Sequence, residues 1–88
     1  MAHPRAKKPP MATVYRILDE VEASTGVPRD DIIEGYATGE RGAARAQVWT
    51  RILSETGCST YGLALAWGCE AFQIRDLLGL SKRRREAA

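Results

Sequence analysis

Residues 63–78 read LALAWGCEAFQIRDLL, an apolar, helix-forming run interrupted once, at Gly68. Two architectures can be read from it. A single helix through Gly68 would lose roughly 1 kcal/mol to the glycine and would wrap its apolar positions around more than one face. Divided at Gly68, the run becomes two short helices that are each amphipathic, with Leu63, Ala64 and Trp67 on the first and Ile74, Leu77 and Leu78 on the second. The divided reading makes Gly68 a corner.

Working outward, the chain before this corner is helical as well. Val14, Ile17, Leu18 and Val21 recur at spacings of three and four, with Asp19, Glu20 and Glu22 on the other side, so a helix is expected from Thr13 to Gly26. Pro28 suits a first helical turn, and Asp30, Asp31, Ile32 and Ile33 form a short second helix whose two isoleucines should close over the first. GYATGERG, residues 35–42, holds three glycines and reads as a loop. A third helix is expected from about Ala43 to Thr56, with Val48, Trp49, Ile52 and Leu53 as its apolar stripe and Gln47, Arg51 and Ser54 in water. Gly57 ends it. Ser59 or Thr60 is then the expected N-cap of a fourth helix ending near Trp67, and a fifth follows Gly68, from about Glu70 to Leu78. Five helices, no strand pattern and short connections predict a small all-α domain.

Its size allows one small core and no more: 88 residues, 44% apolar and 27% charged. No apolar run reaches a membrane-spanning length, and MAHPRAKKPP lacks the apolar segment of a signal peptide, so a cytoplasmic, nucleoid-associated location is expected. Cys58 and Cys69 are the only cysteines and His3 the only histidine, which leaves no ligand set for a metal. The cysteines read as small buried residues in a reducing compartment, and nothing in their spacing favours a disulfide. The net charge of +2 is unevenly spread: residues 1–10 carry +3, residues 11–40 carry −5, residues 41–81 carry +1 and residues 82–88 carry +3. A polyanion should meet the C-terminal half and the ends, and avoid the acidic front helices. The expected organisation is a flexible basic arm over 1–11, a helical domain over 12–79 and a basic tail over 80–88.

The divided run has the spacing of a helix-turn-helix, here over residues 60–79. Ala64 is the small residue that lets the second helix approach, Gly68 makes the turn, and Leu63, Trp67, Cys69, Ile74 and Leu77 take the buried positions. The plain alternative is two core helices that meet at a glycine. With the buried stripe of the last helix centred on Ile74 and 100° per residue, Phe72, Arg75 and Asp76 point outward, Gln73 lies on the flank and Glu70 stands at the start. An outward phenylalanine suits a recognition helix, which can lay it on thymine methyl groups; Arg75 suits a guanine edge or phosphate, and Gln73 an adenine edge. Phe72 could equally meet another protein or fold back onto Trp67.

A wider pattern surrounds this motif. Ala44-Arg45, a helix, Thr56-Gly57-Cys58-Ser59, Leu63 and Trp67-Gly68 follow one another as in the C-terminal DNA-binding domain of the bacterial replication initiator DnaA, and TGVPRDDII resembles that family's "GV…DL" segment. The resemblance covers about residues 13–78 and implies the family's DNA-binding fold, of the Trp-repressor-like class. It implies grip on backbone and minor groove by Arg45 and Arg41. The reading edge departs from the family: its Gly-Arg-Asp-His-Thr-Thr signature is replaced by Gly68-Cys69-Glu70-Ala71-Phe72-Gln73, and there is no room for an ATPase domain. The resemblance therefore implies a small transcription regulator reading a different site. DnaA-like modules of this kind occur in activators of phage-derived gene clusters, including gene transfer agents.

The leading expectation is a sequence-specific binder of double-stranded DNA. Its contacts would come from Arg41, Arg45, Arg51, Ser59, Thr60, Glu70, Phe72, Gln73 and Arg75, with Lys82, Arg83 and Arg84 of the tail adding salt-sensitive affinity. The tails could instead only solubilise. One domain would bind weakly, so a homodimer on a repeated site or a protein partner is expected. The competing expectation is a helical adaptor that uses Phe72, Trp67 and the acidic helices to hold RNA polymerase, a sigma factor or another regulator. Enzymatic chemistry finds no nucleophile beside a base, no paired carboxylates and no phosphate loop, and no cofactor is expected.

Overall fold

The computed structural model describes residues 7–35 and 38–80. They form five helices: α1 Met11–Thr25, α2 Arg29–Glu34, α3 Gly39–Thr56, α4 Thr60–Trp67 and α5 Ala71–Leu77. Among the described residues there is no strand, and no helix is long and apolar enough to cross a membrane. The all-α, five-helix expectation is therefore met.

The periodicity seen in the sequence becomes the core directly. Val14, Ile17, Leu18 and Val21 of α1 are buried against Val48, Trp49 and Ile52 of α3, the most extensive helix contact in the molecule. Ile32, Leu63, Ala64 and Ile74 bring α2, α4 and α5 onto the same cluster. At roughly 1.5–3 kcal/mol for each fully buried large aliphatic side chain, this single cluster carries the domain.

Gly68 is the corner. Its φ of +89° lies in the left-handed region, where a β-carbon is unfavourable, and its N–H donates to the Ala64 carbonyl at 2.8 Å while Cys69 N–H donates to the same oxygen at 3.0 Å. That closes α4 and redirects the chain into α5.

Three expectations need correction. The helix α3 starts at Gly39, four residues earlier than Ala43, so residues 39–42 of the expected loop are helical. Glycines oppose a helix by about 1 kcal/mol each, but here Gly42 and Ala44 are buried and the first two turns are tied to α2, so tertiary packing wins. Of the two isoleucines of α2, Ile32 closes over the core while Ile33, one step of 100° away, is 36% exposed. Finally, the described fold begins at Lys7 and not at Ala12. Pro9 is buried, the Ser59 N–H donates to the Lys7 carbonyl at 3.2 Å, and the Lys7 N–H donates to Ser59 Oγ at 3.2 Å. Residues 7–10 are thus a strap across the start of α4.

Candidate nucleic-acid interface

α4 and α5 meet across Gly68 with Leu63, Ala64 and Ile74 buried between them and the rest of the core, and with Trp67, Cys69 and Leu77 half-buried. Trp67 packs edge to face on Trp49, ring centroids 5.5 Å apart, which anchors the end of α4 on α3. Phe72 does not share that contact; it stays 56% exposed, the most exposed large apolar side chain of the described residues. It lines a shallow concavity with Gln73, Asp76 and Leu77 on the outer side of α5.

The start of each of these helices is capped by its own sequence. Ser59 is the N-cap of α4, its Oγ accepting the Gly62 N–H at 2.9 Å. The same oxygen accepts from Lys7, so Ser59 is held between strap and helix. Thr60 is the first residue of α4. Glu70 is the N-cap of α5, and its backbone N–H donates to Gln73 Oε1 at 2.8 Å. That bond engages the Gln73 carbonyl oxygen and leaves the amide NH2 as its outward group.

The cations expected to grip phosphate fall into distinct classes. Arg45 works inside the fold: its Nε donates to the Ile32 carbonyl at 2.7 Å, and its Nη2 donates to the carbonyls of Ile33 at 3.2 Å and Gly35 at 2.5 Å. The guanidinium lies over the Trp49 ring at 5.8 Å. It thereby donates to carbonyls at the end of α2 and fastens α2 to α3. Burial lowers its pKa, though an arginine remains a cation. Burial also raises the Cys69 thiol, which keeps it protonated despite the neighbouring Arg45 charge. Both cysteines are free thiols.

Arg51 belongs to a closed ring of charges between α1 and α3. It bonds Glu20 at 2.5 Å and Glu55 at 3.0 Å, and Arg16 bonds Glu55 at 2.6 Å and Glu20 at 3.2 Å. These hydrogen bonds hold both carboxylates below the usual glutamate range and raise both guanidinium groups, Arg51 acting first on Glu20 and Arg16 first on Glu55. Arg41 reaches Asp31 at 3.6 Å. Arg75, Lys7 and Lys8 make no ion pair among the described residues. Lys82, Arg83 and Arg84 lie outside the described residues.

Ser59, Thr60, Glu70, Phe72, Gln73 and Arg75 thus belong to the α4–α5 unit, whereas Arg41, Arg45 and Arg51 lie on α3, the last two committed to partners within the chain. The sequence reading placed Lys7 and Lys8 in a flexible basic arm; the strap carries them to the start of α4. The one signal for that contact was Gly62 inside a helix: a β-carbon there would lie 2.1 Å from the Lys7 carbonyl oxygen. Among the described residues no group of histidine, cysteine or carboxylate side chains could hold a metal ion. Comparisons with protein-family models, with curated proteins and with solved structures give no match.

Proposed function

We propose that the chain is a sequence-specific binder of double-stranded DNA, a small transcription regulator of the activator type, in which α4, Gly68 and α5 act as a helix-turn-helix. The observation that carries this reading is α5 itself. Its inner side is fixed by the fully buried Ile74, and its outer side offers Phe72, Gln73 and Arg75, an apolar surface for thymine methyls beside two hydrogen-bond donors for base edges or phosphate. The DnaA-like order of residues in the sequence supports the same role, as does the changed reading edge, which points to a site other than the initiator's box. An activator of a phage-derived gene cluster, such as a gene transfer agent, is the narrower form of the proposal.

With seven residues, α5 is about 10 Å long and can reach few base pairs. High affinity then requires a second copy on a repeated or palindromic site, or a partner such as RNA polymerase, a sigma factor or a co-regulator. The test is selection of bound duplexes from a random pool, followed by gel retardation at several salt concentrations. Phe72→Ala should cost about 1–3 kcal/mol on the selected site and little on random duplex, because it removes a base contact. Arg75→Ala should weaken binding by a similar amount. Failure to retard any duplex at low salt would end the DNA reading, and wild-type affinity in both variants would remove α5 from the groove.

A further inference from the structure

On the other side of α4 from the turn, α1, α2 and α4 enclose an apolar groove of about 90 Å³, bordered by Met11, Tyr15, Leu18, Ile33, Ala66 and Trp67. It is open to solvent, with Met11 41%, Tyr15 52% and Ile33 36% exposed. At 100° per residue, Leu63, Ala66 and Trp67 fall on one side of α4 and Tyr61 and Leu65 on the opposite one, and no residue of α5 borders the groove. Carboxylates surround it in sequence: Asp30 and Glu34 flank Ile33 on α2, and Asp19 follows Tyr15 by one turn of α1. Arg29 offsets Asp19 and lies over the Tyr15 ring at 5.8 Å, and Arg16 is bound to Glu20 and Glu55, so among the described residues Asp30 and Glu34 are the rim carboxylates left without a cation.

We infer that this groove is a docking site for an amphipathic, basic helix of a partner protein, which places one aliphatic side chain in the cavity and lays lysines or arginines along the carboxylate rim. A cavity of this volume suits a single apolar anchor, and a cleft between helices suits a helical occupant. Charge selects among occupants. Nucleic acid is repelled by the −5 carried by residues 11–40. A second copy would bring an identical acidic rim face to face with the first in a two-fold dimer, which like-charge juxtaposition disfavours. A basic segment meets both the apolar floor and the rim. Because α5 takes no part, the partner and DNA can be held together, and the two readings stand or fall separately.

The probes are a synthetic amphipathic helix of leucine and lysine and its leucine–glutamate counterpart, titrated into the full-length, isotope-labelled chain by NMR. The basic peptide should bind at least about 10-fold more tightly than the acidic one, a difference of about 1.4 kcal/mol, and should shift the signals of Tyr15, Ile33 and Trp67. Ile33→Asp should weaken it by at least about 10-fold although it adds a carboxylate to the rim, since the apolar contact is lost. Tyr15→Ser, at an exposed position, provides a second variant should the first not fold, and Leu65→Asp on the far side of α4 should leave binding unchanged. Retardation of duplex DNA should be the same in Ile33→Asp and Tyr15→Ser as in the wild type. The inference is overturned if the two peptides bind alike or not at all, or if the shifts map to α5. It is also overturned if Ile33→Asp and Tyr15→Ser bind as wild type does, or if the chain self-associates and Ile33→Asp abolishes it, which would make a second copy the occupant.

Discussion

Gly62→Ala should destabilise this protein, although the same change in an ordinary helix stabilises it. Glycine in a helix costs about 0.5–1 kcal/mol relative to alanine, so propensity alone predicts a gain of that size. The strap reverses the sign. A β-carbon at residue 62 would lie 2.1 Å from the Lys7 carbonyl oxygen, 2.4 Å from its carbon and 2.9 Å from the Lys8 nitrogen, all backbone atoms that no rotamer change can move. Residues 7–10 must therefore lift away. Lifting breaks the two hydrogen bonds between Lys7 and Ser59, about 1 kcal/mol each, and uncovers the buried Pro9, about a further 1 kcal/mol. The net loss is about 2–2.5 kcal/mol, or roughly 8–20 °C in Tm at about 4–8 °C per kcal/mol for a domain of this size. In a chain beginning at Met11 the strap is gone and Gly62→Ala should raise Tm instead. Hydrogen exchange gives a second readout, because the Ser59 N–H loses its Lys7 acceptor and should exchange faster in the full-length variant. An equal rise in Tm in both backgrounds, with Ser59 still protected, would refute the strap.

Arg45→Ala should cost about 2–4 kcal/mol in chemical denaturation, since it uncaps α2 and removes charge-assisted bonds to three carbonyls; Arg45→Lys should not restore it, because an ammonium cannot span them. The charge ring predicts a pH dependence. Glu20 and Glu55 are held below the ordinary glutamate value of about 4.3, so as pH falls the unfolded chain takes up protons first. Their contribution is complete above about pH 5 and is lost as the pH falls through the ordinary glutamate value and then the depressed folded values, so the Tm gap between wild type and Glu20→Gln/Glu55→Gln should close on acidification below about pH 5. Being exposed, the ring should also weaken in high salt, which a melting series in sodium chloride checks.

The sequence displayed the helices because each buries a stripe at helical spacing, and it displayed the corner because Gly68 sits between two such stripes. The start of α3 was hidden: GERG has the composition of a loop, and only burial of Gly42 and the ties of Arg41 and Arg45 to α2 make it helical. Pattern and composition report local preference, whereas these are contacts between segments far apart in the chain. The strap was hidden for the same reason, since proline and lysine reveal nothing about a docking partner and the complementary mark, Gly62, stands 55 residues after Lys7. Of the candidate interface, the outward side of α5 was legible because Ile74 fixes its rotation. The arginines of α3 were not, because a charge in a sequence does not say whether its partner is water, phosphate or a carbonyl of its own chain.

That last distinction turns the charge count into a measurable number. Each phosphate neutralised adds about 0.9 to the slope of log K against log salt on duplex DNA. Counting every lysine and arginine outside the acidic front half would suggest a steep dependence. Arg45 and Arg51 are already spent on partners within the chain, and Arg41 approaches Asp31, so among the described residues Lys7, Lys8 and Arg75 remain. Three phosphates give a slope of about −3 for the chain cut to residues 7–80. Arg5, Lys82, Arg83, Arg84 and Arg85 lie outside those bounds, and if all five engage, the full chain should reach about −7. Retardation of one duplex by both chains, at several salt concentrations, reads the difference directly. Equal slopes near −3 would assign the ends no part in binding. A slope near −5 or steeper for residues 7–80 would mean that Arg45 or Arg51 exchanges its internal partners for phosphate, and the internal roles assigned to them here would be wrong.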